Sequence, residues 1–418
     1  MLVETGKFAG MCTCGMEHRM TTKIAVIEPG CLERFDGIMD QYGVSGKRCA
    51  VYGENTYAAV GARRPRAQQE IVLKSSGLHA NEISTAQVLS ELEDDVGVII
   101  AVGAGTIHDI ARFCAHERGC RFISCPTAAS VDGFCSNVAA MTWHGYKKTL
   151  PAVAPELVVA DTDVIKNAPI RLARSGVGDI LAKYTALTDW RVARLLTGEH
   201  FCQRVYDIMS QAVETVISRA DGILTGDPEA FEALSYALIM SGIAMQMMGS
   251  SRPASGAEHH ISHMIEMEAA SLEAVSSALH GEKAGVGAIL AAGEYKRLAE
   301  NGDIGSCLRP YRKAADGEIE AIYGSKLSPA IIQENREDCL AHVSPERIAE
   351  KWPQIRALVE EIPDAQEIRA ILSRLGAKDS LEALGIPDSK KALLLDWSPL
   401  VRNRLTLMRV RRMMELHG

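Results

Sequence analysis

Histidines are concentrated in one short stretch of this chain. Four of its 12 histidines fall between positions 259 and 280, and His259 and His263 are four residues apart. Residues four apart lie on one face of a helix, so these two imidazoles can point to a common centre, which His280 could join. Neutral imidazoles with a carboxylate suit a catalytic divalent cation. The stretch indicates either a metal site or a solvated histidine-rich helix face.

A carboxylate for such a site could come from Asp179, which opens an apolar helical segment within SGVGDILAKY. An acid in that position is equally explained as a helix N-terminal residue that the helix dipole stabilises. Both interpretations stay open, because spacing along the chain does not fix a distance in the fold.

A second group of residues could bind phosphate. The apolar run 98–102 leads into the sequence GAGTIHD, which contributes Gly103, Gly105, Thr106 and Asp109, and a helical pattern follows. Glycines after a strand let backbone amides approach a pyrophosphate, and the N-terminus of the new helix adds partial positive charge. The pattern is not a complete GxGxxG. A tight turn capped by Thr106 and Asp109 is therefore the alternative interpretation.

Two further loops could contact a nucleotide. Gly53 and Glu54 follow another apolar run, where an acid can bind a ribose diol and repel a 2′-phosphate, which favours NAD over NADP. Thr127 and Ser130 lie in PTAASVDG after the run 121–125, and small hydroxyl residues can contact a cofactor without crowding it. An exposed turn acid and an ordinary Ser/Thr turn are the respective alternatives.

Short β-rich runs must position these loops. Several of the runs are apolar throughout, as is typical of parallel strands covered on both faces, and helical patterns at 32–42 and 82–92 lie between them. This alternation predicts a doubly wound α/β sheet. The predicted strands are 23–27, 47–52, 69–73, 96–102, 121–125 and 156–161.

Helical periodicity dominates after Pro169, a residue that suits the first turn of a helix. We expect a mobile N-terminal tail at 1–22, a mainly parallel α/β NAD-binding domain at 23–168, and an all-α metal- and substrate-binding domain at 169–418. Since ligands bind at the carboxyl ends of parallel strands, the active site is expected in the cleft between the domains.

Composition excludes several function classes. With 45 Lys+Arg against 53 Asp+Glu, the net charge of -8 has the wrong sign for a nucleic-acid-binding protein. No run of eighteen apolar residues predicts a membrane span, and the segment 237–248 is interpreted as a buried helix. The odd count of 11 Cys favours reduced thiols, and with them the cytoplasm.

Five motifs occur together, in the order GAGTIHD, PTAASVDGFCS, SGVGDILAKY, SRPASGAEHHISH and HGEK. In order and approximate spacing, the set resembles the sn-glycerol-1-phosphate dehydrogenases, and most closely their bacterial AraM-like branch. These proteins belong to the superfamily of iron-type alcohol dehydrogenases, glycerol dehydrogenases and dehydroquinate synthases. The resemblance covers roughly residues 24–290. One departure is Ala104, which stands where many relatives have a glycine.

The resemblance implies roles residue by residue. It implies that Asp179, His259 and His280 are the metal ligands and that Asp132 and His263 are catalytic residues. Asp132, His263 and Asp179 are also implied to contact the substrate. Lys147, Lys148 and Arg252 lie next to the motifs and are candidate cations for a substrate phosphate. The implied NAD contacts are Gly53, Glu54, Gly103, Gly105, Thr106, Asp109, Thr127, Ser130 and Ser136.

The implied activity is the interconversion of dihydroxyacetone phosphate and sn-glycerol 1-phosphate by a homodimer. It would use NAD, with NADP possible, and one divalent ion, zinc or nickel rather than iron. The alternatives are a glycerol or other polyol dehydrogenase and a dehydroquinate synthase-like cyclase. A catalytically silent NAD-binding protein is the alternative outside enzymes.

One short N-terminal segment has no role in the activity that the resemblance implies. Cys12, Cys14 and His18 lie within CTCGMEH and supply three soft ligands for a second metal ion. Reduced surface thiols are the alternative explanation.

Overall fold

The computed structural model describes residues 1–415, so the last three residues of the predicted helical domain lie outside the described part. The chain forms two compact units. The first unit comprises Met1–Ile180 with Asp207–Ser251, and the second comprises Leu181–Tyr206 with Arg252–Gly418. This division differs from the expected boundary at 168/169, because residues 169–180 and the segment from 207 to 251 both belong to the first unit.

The first unit contains a seven-stranded sheet in the order β1-β4-β11-β8-β7-β5-β6. All its neighbouring strands pair in parallel except β1, which pairs antiparallel with β4. Two hairpins, β2–β3 and β9–β10, lie outside this sheet. The strands are β1 (Leu2–Glu4), β2 (Gly10–Met11), β3 (Glu17–His18), β4 (Ile24–Glu28), β5 (Lys47–Gly53), β6 (Gln69–Leu73), β7 (Val96–Gly103), β8 (Arg121–Pro126), β9 (Val138–Trp143), β10 (Tyr146–Pro151) and β11 (Leu157–Asp161).

The mainly parallel sheet confirms the predicted fold class. The six predicted strands correspond to β4, β5, β6, β7, β8 and β11, with ends that differ by at most one residue. Their apolar side chains are divided between two cores, one on each face of the sheet. Helices therefore cover both faces, which explains why the runs are apolar throughout rather than alternating.

Helices of the first unit pack on these two faces. Phe35 and Met39 belong to one core, and Val88 and Ile110 belong to the other. The helices are α1 (Phe35–Gln41), α2 (Glu54–Val60), α3 (Glu82–Glu91), α4 (Gly105–Arg118), α5 (Thr162–Lys166), α6 (Ile170–Leu181), α8 (Gln203–Arg219, from residue 207 onward), α9 (Gly222–Thr225) and α10 (Pro228–Met248).

The connections after β5 and β7 run in opposite directions across the sheet. β5 and β7 are neighbours, and the chain continues from β5 outward to β6 but from β7 to β8 on the other side. Such a reversal leaves a crevice at the carboxyl ends of the two strands, where ligands of open α/β sheets bind. Gly53 and Gly103, which end these strands, lie at that crevice.

The segment 1–22, expected as a tail, contributes strands β1, β2 and β3 to the first unit. β1 pairs with β4, and Val3 and His18 are buried. Neither the β2–β3 hairpin nor the β9–β10 hairpin was predicted. The turn between β9 and β10 places His144 and Gly145 at positive φ, as a tight two-residue turn requires.

Helix α10 explains why the segment from 207 to 251 joins the sheet. It is apolar on nearly all sides and packs on α5, β4 and a short 3-10 helix at Gly133–Cys135. Its length and composition would also allow a membrane crossing, but 83% of its apolar window is buried inside the protein. A core helix accounts for it, as the sequence predicted for 237–248.

The described part of the second unit is helical, as expected for the C-terminal half. Helix α11 packs on α12 and α7, and Trp190, Tyr295 and Trp352 are fully buried in this unit. The helices are α7 (Lys183–Thr197), α11 (Ala257–Glu266), α12 (His280–Ala299), α13 (Asp316–Tyr323), α14 (Ser328–Glu334), α15 (Pro345–Glu360), α16 (Ala365–Arg374), α17 (Lys391–Trp397) and α18 (Leu407–Val410).

Candidate nucleotide and metal sites

A cavity of about 450 Å³ opens at the carboxyl ends of β5 and β7 in the first unit. Gly53, Thr106 and Thr127, all predicted to contact the cofactor, line it. The other lining residues are Asn55, Thr56, Ala59, Ser75, Leu78, Ala104, Ile107, Ala128, Val164, Asn167, Ala168, Pro169 and Leu172. The cavity therefore occupies the reversal point of the sheet.

The N-terminus of α4 provides hydrogen-bond donors for this cavity. The helix begins at Gly105, and Ala104, the residue before it, makes no side-chain cap. The first amides of a helix have no partner within it, so they are available to an anion. Because Ala104 and Thr106 line the cavity, this end of α4 opens onto it.

The two glycines of this turn are required by close packing. A Cβ atom on Gly103 would lie 2.6 Å from the side chain of Ile107, and one on Gly105 would lie 2.8 Å from Val131. The amide of Thr127 also donates to the carbonyl of Gly103 at 3.0 Å. Packing thus accounts for both glycines and holds backbone, rather than side chains, at the edge of the cavity.

Two predicted acidic contacts are engaged in local structure. A carboxylate oxygen of Glu54 accepts the Ser75 amide at 3.0 Å, which ties the start of α2 to the loop after β6. A carboxylate oxygen of Asp109 lies 3.8 Å from Nε of Arg112, one turn further along α4. Neither acid is among the residues that line the cavity.

Two predicted serine contacts are also buried. The Ser175 hydroxyl donates to the carbonyl of Ser130 at 3.2 Å, and the Arg112 guanidinium donates to the carbonyl of Ser136 at 2.6 Å. Arg112 is fully buried and also donates to the carbonyls of Phe134 and Val138. It therefore fixes the loop that follows Asp132.

Sequence reasoning missed part of the cavity wall. Thr56 belongs to the segment after Gly53, and its hydroxyl donates to the Val102 carbonyl at 3.0 Å, joining the ends of β5 and β7. A hydroxyl three residues after a strand-ending glycine was a usable signal. Ser75 and Asn167 carry no comparable local pattern, since only the fold brings them to the cavity.

Asp132 and Asp179 are neighbours in the first unit. The amide of Asp132 donates to a carboxylate oxygen of Asp179 at 3.0 Å, and the Ser241 hydroxyl donates to the Asp132 carboxylate at 2.8 Å. Asp179 is fully buried in α6, and Asp132 is half-buried. Ser241, which the sequence did not single out, lies on α10 and orients the Asp132 side chain.

Three imidazoles form a cluster in the second unit. The ring centroids of His259 and His280 are 5.3 Å apart, those of His263 and His280 are 5.7 Å apart, and those of His259 and His263 are 6.1 Å apart. Helices α11 and α12 approach closely beside them, because a Cβ atom on Gly287 would lie 2.5 Å from the Glu258 carbonyl oxygen. The structure thus unites histidines that are distant in sequence.

Carboxylates orient these rings from behind. Nδ1 of His259 lies 2.7 Å from Glu258, and Nδ1 of His280 lies 2.7 Å from Glu266, which also lies 3.1 Å from Nδ1 of His263. An imidazole that donates Nδ1–H to a carboxylate keeps its Nε2 lone pair for a cation. His259 and His280 therefore fit the requirements of metal ligands. Neither glutamate was predicted from the sequence.

Burial and hydrogen bonds shift the pKa values of two residues in this region, Glu258 and His263. Burial raises the pKa of Glu258, but hydrogen bonds from His259, Thr185 and the Gly256 amide outweigh it, so that pKa lies below its usual value. Burial lowers the pKa of His263 to about 3, despite the opposing Glu266 carboxylate. His263 is therefore neutral at neutral pH.

The candidate cations for the substrate phosphate differ in burial and in their bonds to other protein groups. Lys147 is half-buried and Lys148 is exposed on β10. Arg252 is 4% exposed and makes two bonds to Glu199, at 2.6 and 2.7 Å, and one to a backbone carbonyl at 2.8 Å. Arg402, which was not predicted, carries a charge that contributes to lowering the pKa of His263.

Comparison with known proteins identifies relatives along most of the chain. Residues 26–169 match the family model of iron-containing alcohol dehydrogenases. A glycerol-1-phosphate dehydrogenase [NAD(P)+] of Geobacillus stearothermophilus is 38% identical over 330 residues, which cover 79% of this chain and 75% of that protein. The enzyme of the same name from Bacillus licheniformis is 30% identical over 415 residues, covering 97% and 92%.

The fold has relatives at low sequence identity. The crystal structure of a probable glycerol dehydrogenase from Sinorhizobium meliloti aligns with a TM-score of 0.62 and 14% identity, covering 96% of this chain and 93% of that one. These findings confirm the family expected from the five motifs. The chain belongs to the glycerol-1-phosphate dehydrogenases, a family of oxidoreductases within the metal-dependent alcohol dehydrogenase superfamily.

Proposed function

We propose that this protein interconverts dihydroxyacetone phosphate and sn-glycerol 1-phosphate, with NAD or NADP as the hydride carrier and one divalent metal ion. The observation that carries the proposal is 30% identity to a glycerol-1-phosphate dehydrogenase [NAD(P)+] along 97% of this chain. The cavity at the reversal point of the sheet and the carboxylate-backed histidines support it, because the reaction needs a nucleotide site and a cation site.

The nicotinamide dinucleotide is proposed to bind in the cavity of the first unit. The amides at the start of α4 suit its pyrophosphate, and Gly53, Thr106 and Thr127 line the space around it. Glu54 is the candidate for the ribose diol, which favours NAD over NADP. The contacts of Asp109, Ser130 and Ser136 described above suggest that these three act by shaping the surrounding loops.

Asp179, His259 and His280 are the proposed metal ligands. The orientation of both imidazoles by glutamates supports the two histidines, and the fully buried position of the carboxylate of Asp179 supports its assignment. A divalent ion held by two imidazoles and a carboxylate polarises a carbonyl group. We favour zinc or nickel over iron.

His263, Glu266 and His280 also place ligand atoms within 4.8 Å of one another. Glu266, however, stands at hydrogen-bond distance from Nδ1 of both histidines, which leaves no room for an ion between these atoms. Glu266 is therefore assigned as a positioning residue rather than a ligand.

Asp132 and His263 are the proposed substrate contacts. Ser241 holds the Asp132 carboxylate, which can accept a hydrogen bond from a substrate hydroxyl. Burial lowers the pKa of His263 to about 3, so its imidazole is neutral at neutral pH. A neutral imidazole can form a hydrogen bond with the substrate's alcohol oxygen and relay the alcohol proton to solvent. The substrate phosphate requires cations, for which Lys147, Arg252 and Arg402 are the candidates.

The experiment that tests the function compares phosphorylated and unphosphorylated substrates. NADH oxidation, followed at the nicotinamide absorbance band, is expected with dihydroxyacetone phosphate and not with dihydroxyacetone at equal concentration. His280→Ala should abolish turnover while retaining most NAD binding. Equal use of free glycerol and glycerol 1-phosphate would identify a glycerol dehydrogenase instead, and full activity in metal-free buffer would overturn the metal mechanism.

Two further properties are proposed for this protein, its cellular compartment and its assembly state. Within the described residues, none of the 11 cysteines forms a disulfide, which supports action in a reducing compartment such as the cytoplasm. A homodimer is proposed as the assembly, and light scattering of the purified protein measures it.

A further inference from the structure

The N-terminal hairpin of the first unit brings soft ligands together. Between β2 and β3, the Gly15 amide donates to the Cys12 carbonyl at 2.9 Å, and the Cys12 amide donates to the Met16 carbonyl at 3.0 Å. Gly15 adopts a φ of 89°, a conformation that favours glycine and lets the chain reverse directly after Cys14. The turn therefore presents two cysteine side chains beside the returning strand.

His18 completes the group on that strand. The ligand atoms of Cys12, Cys14 and His18 lie within 4.8 Å of one another, and Sγ of Cys14 is 3.8 Å from Nε2 of His18. In a tetrahedral zinc site, a sulfur and a nitrogen ligand are about 3.6 Å apart, given usual Zn–S and Zn–N distances. The three side chains are thus already near the separation that a bound ion requires.

The orientation of His18 is that of a metal-ligating imidazole. The side chain is 1% exposed, and its Nδ1 lies 2.7 Å from the carbonyl oxygen of Met247 at the end of α10. A ring that donates Nδ1–H to a carbonyl keeps the lone pair on Nε2, which faces Cys14. Burial also distinguishes Cys12, at 9% exposure, from a reduced surface thiol.

From these contacts we propose that Cys12, Cys14 and His18 bind a second, structural metal ion of the zinc type. Two thiolates and an imidazole suit zinc and exclude magnesium or calcium as the preferred ion, because those cations take oxygen ligands. Binding releases the two thiol protons to solvent. The fourth position is open to water or to one of the other cysteines of the chain.

The ion would fasten the hairpin to the core of the first unit. Gln246, next to the residue that holds His18, accepts hydrogen bonds from the amides of Thr21 and Thr22, at 3.1 and 3.3 Å. The same helix, α10, carries Ser241, which orients Asp132. A metal at the hairpin would therefore stabilise the segment from 10 to 22 and its attachment to α10. This role does not depend on the proposed reaction.

The test separates this ion from the catalytic one. In full-length His280→Ala, in which the catalytic site is disabled, elemental analysis is expected to find about one zinc ion per chain after dialysis. Adding Cys12→Ser and Cys14→Ser should remove it. Replacing zinc by Co²⁺ should give thiolate-to-cobalt charge-transfer absorption in wild type and in His280→Ala, and not in the triple variant. Cys307→Ser, a half-buried cysteine elsewhere, is the matched control and should leave the absorption unchanged.

Other results would overturn the proposal. A Co²⁺-loaded His280→Ala protein without thiolate absorption shows that no such site exists, as does absorption that survives in the triple variant. A Cys12–Cys14 disulfide, found by mass spectrometry of protein purified under reducing conditions, would do the same. If the triple variant does not fold, maleimide labelling of wild type decides, because a chelator should increase labelling of Cys12 and Cys14. Serine replacement of each remaining cysteine identifies any fourth ligand.

Discussion

Nδ1 of His280 lies 2.7 Å from one carboxylate oxygen of Glu266. The second oxygen of the same carboxylate lies 3.1 Å from Nδ1 of His263, and the two rings stack with an interplanar angle of 29°. A single acidic side chain therefore sets the orientation of a proposed metal ligand and of a proposed substrate contact. Loss of the Glu266 carboxylate should therefore impair metal binding by His280 and substrate contact by His263, although both histidines remain.

Glu266→Gln is expected to weaken metal binding by about 10- to 100-fold, because the amide lacks the charge that makes His280 a strong ligand. Competition with a chromogenic chelator measures the affinity. Glu273→Gln, which removes an exposed acid that pairs with Lys390, is the control and should bind metal normally. Unchanged affinity in Glu266→Gln would show that Glu266 does not position the ligand.

Gly176→Ala tests the packing of α6 under the cofactor loop. The added Cβ would lie 2.2 Å from the carbonyl oxygen of Ala129, so the backbone must move, at a cost of about 1–3 kcal/mol. Thermal unfolding should show a lower Tm, and NAD binding should weaken because the loop also carries Thr127. Gly37→Ala is the matched helical control. It has open space around it and should be neutral or stabilising by about 0.5–1 kcal/mol. Equal effects of the two changes would contradict the packing argument.

The sheet could be predicted because buried parallel strands leave a local signature. The runs at 96–102 and 121–125 became β7 and β8 with one residue added to each. The antiparallel hairpin β9–β10 was missed, although His144 and Gly145 form a tight two-residue turn between its strands. The place of α10 had no local signal, because its apolar surface is equally compatible with any buried position.

In the candidate site, too, only the residues with a local sequence signal could be predicted. The pairing of His259 with His263 followed from helical spacing, since they are four residues apart on α11. The ligand role of His280 came from family resemblance, because the 16 residues of intervening chain leave its distance from His263 undetermined. Glu258 and Glu266 were not predicted, since only the three-dimensional structure shows which acid faces which ring.

Arg112→Met should destabilise the first unit by about 3 kcal/mol, because three loop carbonyls lose a buried cationic donor. Urea unfolding measures the free energy of unfolding. Arg66→Met, at a side chain that is 90% exposed, is the control and should change it by less than about 0.5 kcal/mol. Similar values for the two variants would show that Arg112 does not hold the loop after Asp132.

Acid should weaken the first unit through Glu156. The guanidinium of Arg121 and the ammonium of Lys23 lower the pKa of this carboxyl to about 2 from a usual value of 4.5. A lowered pKa contributes stability that is complete above the unfolded value and is lost as the pH falls from about 4.5 towards 2. The contribution is about 1–2 kcal/mol after solvent screening.

Glu156→Gln removes this titration, so its unfolding free energy should fall less steeply than that of wild type over the same pH range. Arg121→Met should flatten the profile in the same direction, because it removes the larger cause of the pKa shift. Parallel acid profiles for wild type and Glu156→Gln, measured by urea unfolding at each pH, would show that the ion pair contributes nothing.

Two arginines of the second unit, Arg252 and Arg402, are expected to differ in their contribution to binding the substrate phosphate. Arg252 is already satisfied by Glu199, so Arg252→Gln should lower the unfolding free energy by about 3 kcal/mol and change KM little. Arg402 places its charge near His263, so Arg402→Gln should raise KM for dihydroxyacetone phosphate about tenfold, with little effect on NADH affinity. Steady-state kinetics and NADH titration measure both variants. A rise in KM confined to Arg252→Gln would instead assign the phosphate to Arg252, and that result would require the Glu199 contact to open when substrate binds.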